Sequence, residues 1–277
     1  MYKKDPTSTT PCRRVFDASF HTKDQLSLND CMLKGPTLTP HILKVLMRLR
    51  IKKFLMCADV SKAFLRVLLR YSDRNFTCFF VREVWEDPNS PLAVYRFKVV
   101  LFGSTSSPFL LNATILELFE KHGIVDSLID CYVDNLFFGL NTTDELMNAC
   151  IKAIAIFDLA SLPLREWANN EQQMNAHFVS MGIFTKAIKV LRTLGYDWHF
   201  DPDKWTLAQV SFVVDQVTKR SVLSNVCSIY DPLGLINPVI VTAKVFVQSC
   251  WDIGIQWDCP LPEDLRTQWI EIVGNLK

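Results

Sequence analysis

The stretch LIDCYVDNLFFGL, residues 128–140, does most to limit what this chain can fold into. LIDCYV and LFFGL are too short for helices and rich in β formers, so they read as antiparallel strands joined by a tight turn that carries Asp134 and Asn135. Helical patterns flank the hairpin. FLLNATILELFEKHG before it reads as a helix ended by Gly123, and TTDELMNACIKAIAIF after it opens with a capping box from Thr142 to Glu145. Further upstream, TLTPHILKVLMRLR predicts a helix with Thr39 as cap, Pro40 at the first helical position and Ile42, Leu46 and Leu49 on one face. KFLMCADV then reads as a strand ending at Asp59, with SKAFLRVLL as a short amphipathic continuation. FTCFFVREVW and LAVYRFKVVLF flank the turn formers EDPNSP and predict a second hairpin. This order of strands and helices, without an internal repeat, predicts an α+β domain with an antiparallel sheet packed on helices.

At 277 residues, 49% hydrophobic and 21% charged, the chain is ordinary globular material. It has no run of eighteen apolar residues and no apolar leader in MYKKDPTSTTPCRR, so the sequence predicts a soluble, unsecreted chain with no membrane partner. The nine cysteines form no CxxC pair and the five histidines are isolated, which argues against a zinc site, a redox motif or a histidine triad. Scattered cysteines of odd number suit a reducing compartment. Charge is distributed unevenly: residues 1–70 hold 14 Lys and Arg against 5 Asp, leaving 16 against 24 for the rest. A basic end is either a solvated surface or a phosphate contact.

Asp59 ends one strand and Asp134 tips a hairpin, so their carboxylates converge if the strands are neighbours. The bland alternative is that each caps a turn. Converging hard oxygen ligands suit Mg²⁺, which is commonly shared with substrate phosphates. Two such ions about 3.5 to 4 Å apart can activate an attacking hydroxyl and stabilise a leaving pyrophosphate.

The words around these aspartates narrow the choice. ADVSKAFLRVLL, VVLFGSTSSPFLLNATI and CYVDNLFFG occur in the order and approximate spacing of the palm motifs of reverse transcriptases. With TTPCRRVFDASF, SLNDCMLKGPTL, LPLREWANN and TKRSVLSNVCSIYDPLGLINPVIVTAKVFVQSCW, the chain resembles the polymerase of Pao/BEL long-terminal-repeat retrotransposons over nearly its whole length. The resemblance implies an RNA-directed DNA polymerase, a nucleic-acid-binding nucleotidyltransferase of a transposable element, with right-hand architecture. It implies fingers and palm with part of the thumb or connection: residues 1–50 as the N-terminal part of the fingers, 51–190 as palm with an interleaved fingers hairpin, and 191–277 as primer grip and thumb or connection.

By that resemblance Asp59 and Asp134 are metal ligands, joined by the backbone carbonyl of Val60, for Mg²⁺ with Mn²⁺ as the alternative ion. Phe64 matches the aromatic residue beneath the sugar that rejects a 2′-hydroxyl, although a core phenylalanine fits the same amphipathic segment. Arg13 and Arg14 match triphosphate-binding residues, Gly103 the close approach of backbone to nucleotide and template, and Ser107, Pro108 and Asn112 lie in the same motif. TLGYDW, around Leu194 and Gly195, resembles a primer grip. The implied partners are an RNA or DNA template-primer, deoxynucleoside triphosphates and other parts of a retrotransposon polyprotein, in a cytoplasmic setting that includes retrotransposon particles.

Two positions depart from the family. Tyr132-Val133-Asp134-Asn135 stands where active members have Tyr-x-Asp-Asp, and Glu166 stands where they tend to place a basic residue after Arg165. Asn135 keeps the shape of the second acid without its charge. The chain also lacks protease, nuclease and zinc-binding integrase words, which predicts either the polymerase part of a larger polyprotein or a relic reading frame that keeps the fold and at most binds nucleic acid.

Overall fold

The structure is a computed structural model that describes residues 2–3, 12–13, 16–84, 86–124, 129–182, 189–208, 212, 214 and 216–276. The chain divides into two compact units, Met1–Lys186 and Ala187–Lys277. In the first, the elements in chain order are β1 (Tyr2–Lys3), β2 (Cys12–Arg13), α1 (Ile42–Arg50), β3 (Phe54–Val60), β4 (Cys78–Arg82), β5 (Leu92–Arg96), α2 (Ser107–Lys121), β6 (Ile129–Tyr132), β7 (Asn135–Leu140), α3 (Thr143–Leu159), β8 (Leu164–Asn169) and α4 (Gln172–Ser180). Four of these strands form an antiparallel sheet in the order β6-β7-β3-β8, and β4 pairs with β5 in a separate hairpin. The fold is mixed helix and sheet with antiparallel pairing, as the sequence predicts.

Alternation along β3 divides the sheet into two faces. Met56, Ala58 and Val60 point to one side with Leu136, Phe138, Ile129 and Trp167, where they pack on Leu111, Ile115 and Phe119 of α2 and Leu146, Cys150 and Phe157 of α3. Leu55, Cys57 and Asp59 point to the other side, opposite Gly139, Phe137 and Asn135. That second face is covered at one end by α1, which buries Val45, Leu46 and Leu49 and sends Arg48 to Asp130 at 2.7 Å. At its other end, Asp59 and Asn135 stay partly exposed.

The predicted α3 cap is present, with Thr142 Oγ1 accepting from the Glu145 N–H at 3.3 Å. The predicted cap of α1 is not. His41 rather than Thr39 caps that helix, its Nδ1 accepting from Leu43 N–H, because Thr39 Oγ1 accepts a hydrogen bond from Asn112 Nδ2 of α2. A tertiary partner thus overrides a local preference.

In the second unit, β9 (Val190–Thr193), β10 (Tyr196–His199) and β11 (Lys204–Leu207) form an antiparallel sheet in the order β11-β10-β9. The β9–β10 turn places Leu194 and Gly195 at φ 51° and 88°. Gly195 lies flat against the ring of Tyr230, where a Cβ would collide. The helices α5 (Lys219–Ser228), α6 (Asn237–Asp252) and α7 (Glu263–Leu276) enclose their own core around Phe246, Cys250, Trp269 and Val273. Among the described residues no helix is long and apolar enough to cross a membrane.

Phe157 is fully buried between α3 and the sheet, edge-on to Phe119. Its replacement by alanine is expected to cost about 3 to 5 kcal/mol, read as a lower urea midpoint at unchanged m-value.

Candidate active site

The β6–β7 hairpin closes on the pair Tyr132 and Asn135, so its two loop residues are Val133 and Asp134. Asn135 is therefore the first residue of β7 and not part of the turn, one position off the expectation. Val133 takes the left-handed conformation, φ 59°, which a β-branched residue adopts only under constraint. One constraint is visible: Val60 N–H donates to the Asp134 carbonyl at 2.7 Å, tying the tip to the end of β3. This leaves Asp59 directly opposite Asn135 in the ladder, and Asn135 Nδ2 donates to Asp134 Oδ1 at 3.1 Å.

On the other side of β3, Asp59 lies opposite Arg165 of β8. One residue of β3, Ala58, separates Cys57 from Asp59, but two of β8, Glu166 and Trp167, separate Arg165 from Ala168, so the strand bulges there. Glu166 sits in the bulge at φ 56°. Arg165 Nε donates to Asp59 Oδ2 at 2.9 Å.

Burial pushes the Asp59 carboxyl above the usual range; the Arg165 hydrogen bond pulls it back, and the charge of Asp134 pushes it up again. Burial likewise raises Asp134, partly offset by its own backbone N–H and the charge of Arg165. The two carboxylates therefore repel each other in a half-shielded place. Among the described residues no group of three or more His, Cys, Asp or Glu could hold a metal. The donors available are the Asp59 and Asp134 carboxylates, the Asn135 amide oxygen and main-chain carbonyls, all hard oxygens that fit a divalent ion such as Mg²⁺.

The other predicted residues are distributed around this pair. Phe64 lies in a short 3₁₀ turn after β3, packs partly against the core and meets Phe102 edge-on at 4.9 Å, so it borders the Gly103 turn and also serves the core. Gly103 has φ 89°, and a Cβ there would lie 2.5 Å from the Phe16 carbonyl oxygen. Asn29, a residue of the SLNDC word to which no role was assigned, clamps this turn: its Nδ2 donates to Gly103 O at 3.0 Å and its Oδ1 accepts from Thr105 N–H at 2.8 Å. Asn112 and Ser107 are buried and bonded to Pro108 O and Leu101 O, so they hold the start of α2. The backbone of Arg13 pairs with Tyr2; its side chain, and all of Arg14, lie outside the described residues.

An acidic hairpin tip set against a second strand-end carboxylate, on the open part of an antiparallel sheet backed by helices, is an arrangement suited to metal-dependent phosphoryl chemistry. Residues 8–162, more than half of the chain, match the family model for reverse transcriptase (RNA-dependent DNA polymerase), and residues 218–277 match that of the Pao retrotransposon-like RNaseH-like domain. The chain belongs to the reverse transcriptase family and is a retrotransposon reverse transcriptase of the Pao type. Members of this family use divalent metal ions and act on template-primer and deoxynucleoside triphosphates. A comparison with curated proteins gives no match.

Gly103→Ala is expected to lower the unfolding midpoint more than Gly123→Ala. Both glycines have positive φ, worth about 1 kcal/mol each, but only Gly103 faces a backbone oxygen at collision distance, while a Cβ at Gly123 meets nothing within 4 Å. The raised carboxyl of Asp134 gives a pH test. A carboxyl raised in the folded state binds more protons there than in the unfolded chain, so stability falls as pH rises from the ordinary carboxylate range through the folded value. Asp134→Asn is therefore expected to melt above wild type at pH 7 and to lose that advantage in acid, as followed by thermal unfolding across pH.

Proposed function

We propose that Asp59 and Asp134, with the Val60 carbonyl, form the metal-binding centre of an RNA-directed DNA polymerase of right-hand architecture. Residues 1–50 then belong to the fingers, 51–190 to the palm with the β4–β5 hairpin as an interleaved part of the fingers, and 191–277 to the primer grip and thumb or connection. The observation that carries this reading is the pairing of Asp59 with Asn135 across adjacent strands, which holds two partly buried carboxylates in mutual repulsion that a divalent cation would relieve. The ion is Mg²⁺, with Mn²⁺ as substitute; when bound it supplies Lewis acidity for the primer 3′-hydroxyl and the departing pyrophosphate.

The chain's own residues do the positioning. Gly103 brings the main chain up to nucleotide and template, in a turn whose left-handed backbone and contact with the Phe16 carbonyl leave no room for a Cβ and which Asn29 keeps in shape. Phe64 lies under the sugar as a steric filter against a 2′-hydroxyl. Arg13 and Arg14 supply guanidinium forks for the triphosphate. Asn135 offers one amide oxygen where a second carboxylate would carry a full charge, and its N–H holds Asp134.

A second reading is a catalytically dead relic that keeps the fold and at most binds nucleic acid, favoured by Asn135 and by Glu166 in place of a basic residue. A unit charge at about 4 Å is worth roughly 4 kcal/mol at an effective dielectric of about 20. If half of that appears in the barrier, Asn135→Asp raises primer extension on the order of thirtyfold. Primer extension on an RNA template with Mg²⁺ or Mn²⁺ separates the readings. Extension that rises with Asn135→Asp and vanishes with Asp59→Ala supports the polymerase; salt-dependent primer-template binding with no extension by either form supports the relic.

A further inference from the structure

The metal centre proposed above already contains a cation. Arg165 Nε donates to Asp59 Oδ2 at 2.9 Å, and its charge also acts on Asp134. The strand that carries it is shaped for this contact. Ala168 lies opposite Cys57, on the side of the sheet that holds Asp59, and Trp167 faces the helices. Strict alternation from there would turn Glu166 toward the site and Arg165 into the core. The bulge at Glu166 adds one residue against β3, so Arg165 falls opposite Asp59 instead. On the same face Arg48 is engaged with Asp130 and does not substitute for it.

We propose that Arg165 is a resident counter-cation of the Asp59 and Asp134 site, which offsets one of the two carboxylate charges before a divalent ion arrives and competes with that ion for Asp59. The inference rests on the reading of Asp59 and Asp134 as metal ligands. The guanidinium fixes the Asp59 carboxylate in a dipole-matched hydrogen bond, and Asn135 does the same for Asp134 through its amide. Metal entry then exchanges the Arg165 bond for a metal bond. Arg165 is half exposed, its side chain at 50% accessibility, so it can swing into water when displaced. Its role toward the ion is positioning and competition, not contact with the reacting atoms.

The test is Mn²⁺ binding to the whole chain, measured by electron paramagnetic resonance of free Mn²⁺ without nucleotide or primer, for wild type, Arg165→Gln, Arg165→Lys and Asp59→Asn. An exposed ion pair is worth up to about 1 kcal/mol, so Arg165→Gln is expected to bind Mn²⁺ about fivefold more tightly, and Arg165→Lys to stay close to wild type. Circular dichroism melts establish that each variant is folded. Unchanged or weaker binding by folded Arg165→Gln, with binding lost in Asp59→Asn, overturns the role of Arg165 and leaves the metal ligands standing. Binding by Asp59→Asn at the wild-type level overturns the ligand reading and the inference with it.

Discussion

The register of β3 on β7 is the constraint on which the site depends. Asp59 meets Asn135 only because Cys57 meets Phe137 and Leu55 meets Gly139. A slip of one residue would send Met56, Ala58 and Val60 to the open face and Asp59 into the helices. Burial of a single large apolar side chain is worth about 1.5 to 3 kcal/mol, and β3 and β7 contribute several to the core shared with α2 and α3. That sum exceeds the cost of holding two carboxylates near each other. The core thus fixes where the charges sit, and their repulsion is tolerated because they are carried by strands whose opposite sides are already committed.

Where local chemistry decides an element, the sequence reveals it. The hairpin at residues 129–140 follows from two short β-rich runs, and α3 starts where Thr142 and Glu145 say it should. The convergence of Asp59 and Asp134 could be posed from sequence only as a condition on which strands are neighbours. Long-range contacts decide the rest. Thr39 is taken by Asn112, seventy-three residues away, and gives up its cap to His41. The loop of the β4–β5 hairpin is longer than EDPNSP suggests, because Ser90 accepts from Val84 N–H and receives Arg82 on its carbonyl, so β4 stops at Arg82 while β5 starts at Leu92 where the sequence places it. The bulge at Glu166 leaves no mark in LREWAN, since a left-handed glutamate has no composition cue; nor does anything in SLNDC announce that Asn29 will clamp a turn seventy-four residues on.

The C-terminal match carries an RNase H-like description, yet the stretch it covers is made of α5, α6 and α7, joined to residues before it by side-chain bonds. Asp231 accepts from Tyr196 Oη at 3.2 Å and from Ile236 N–H at 2.8 Å, while Leu233 N–H donates to the same Tyr196 oxygen. With Gly195 beneath Tyr230, the loop before α6 and the β9–β10 turn form one packed piece. The IYDPLG word, which has no evident chemistry, thus has a structural task within its own unit.

The bulge in β8 also has a consequence for how this strand can change over generations. A substitution at Glu166 exchanges one side chain for another, and loss of that single codon would remove the extra residue and leave a regular ladder, with Trp167 opposite Ala58 and Arg165 still opposite Asp59. A related chain whose word is one residue shorter at Glu166 would therefore still set its arginine against the strand-end aspartate, through an unbulged strand.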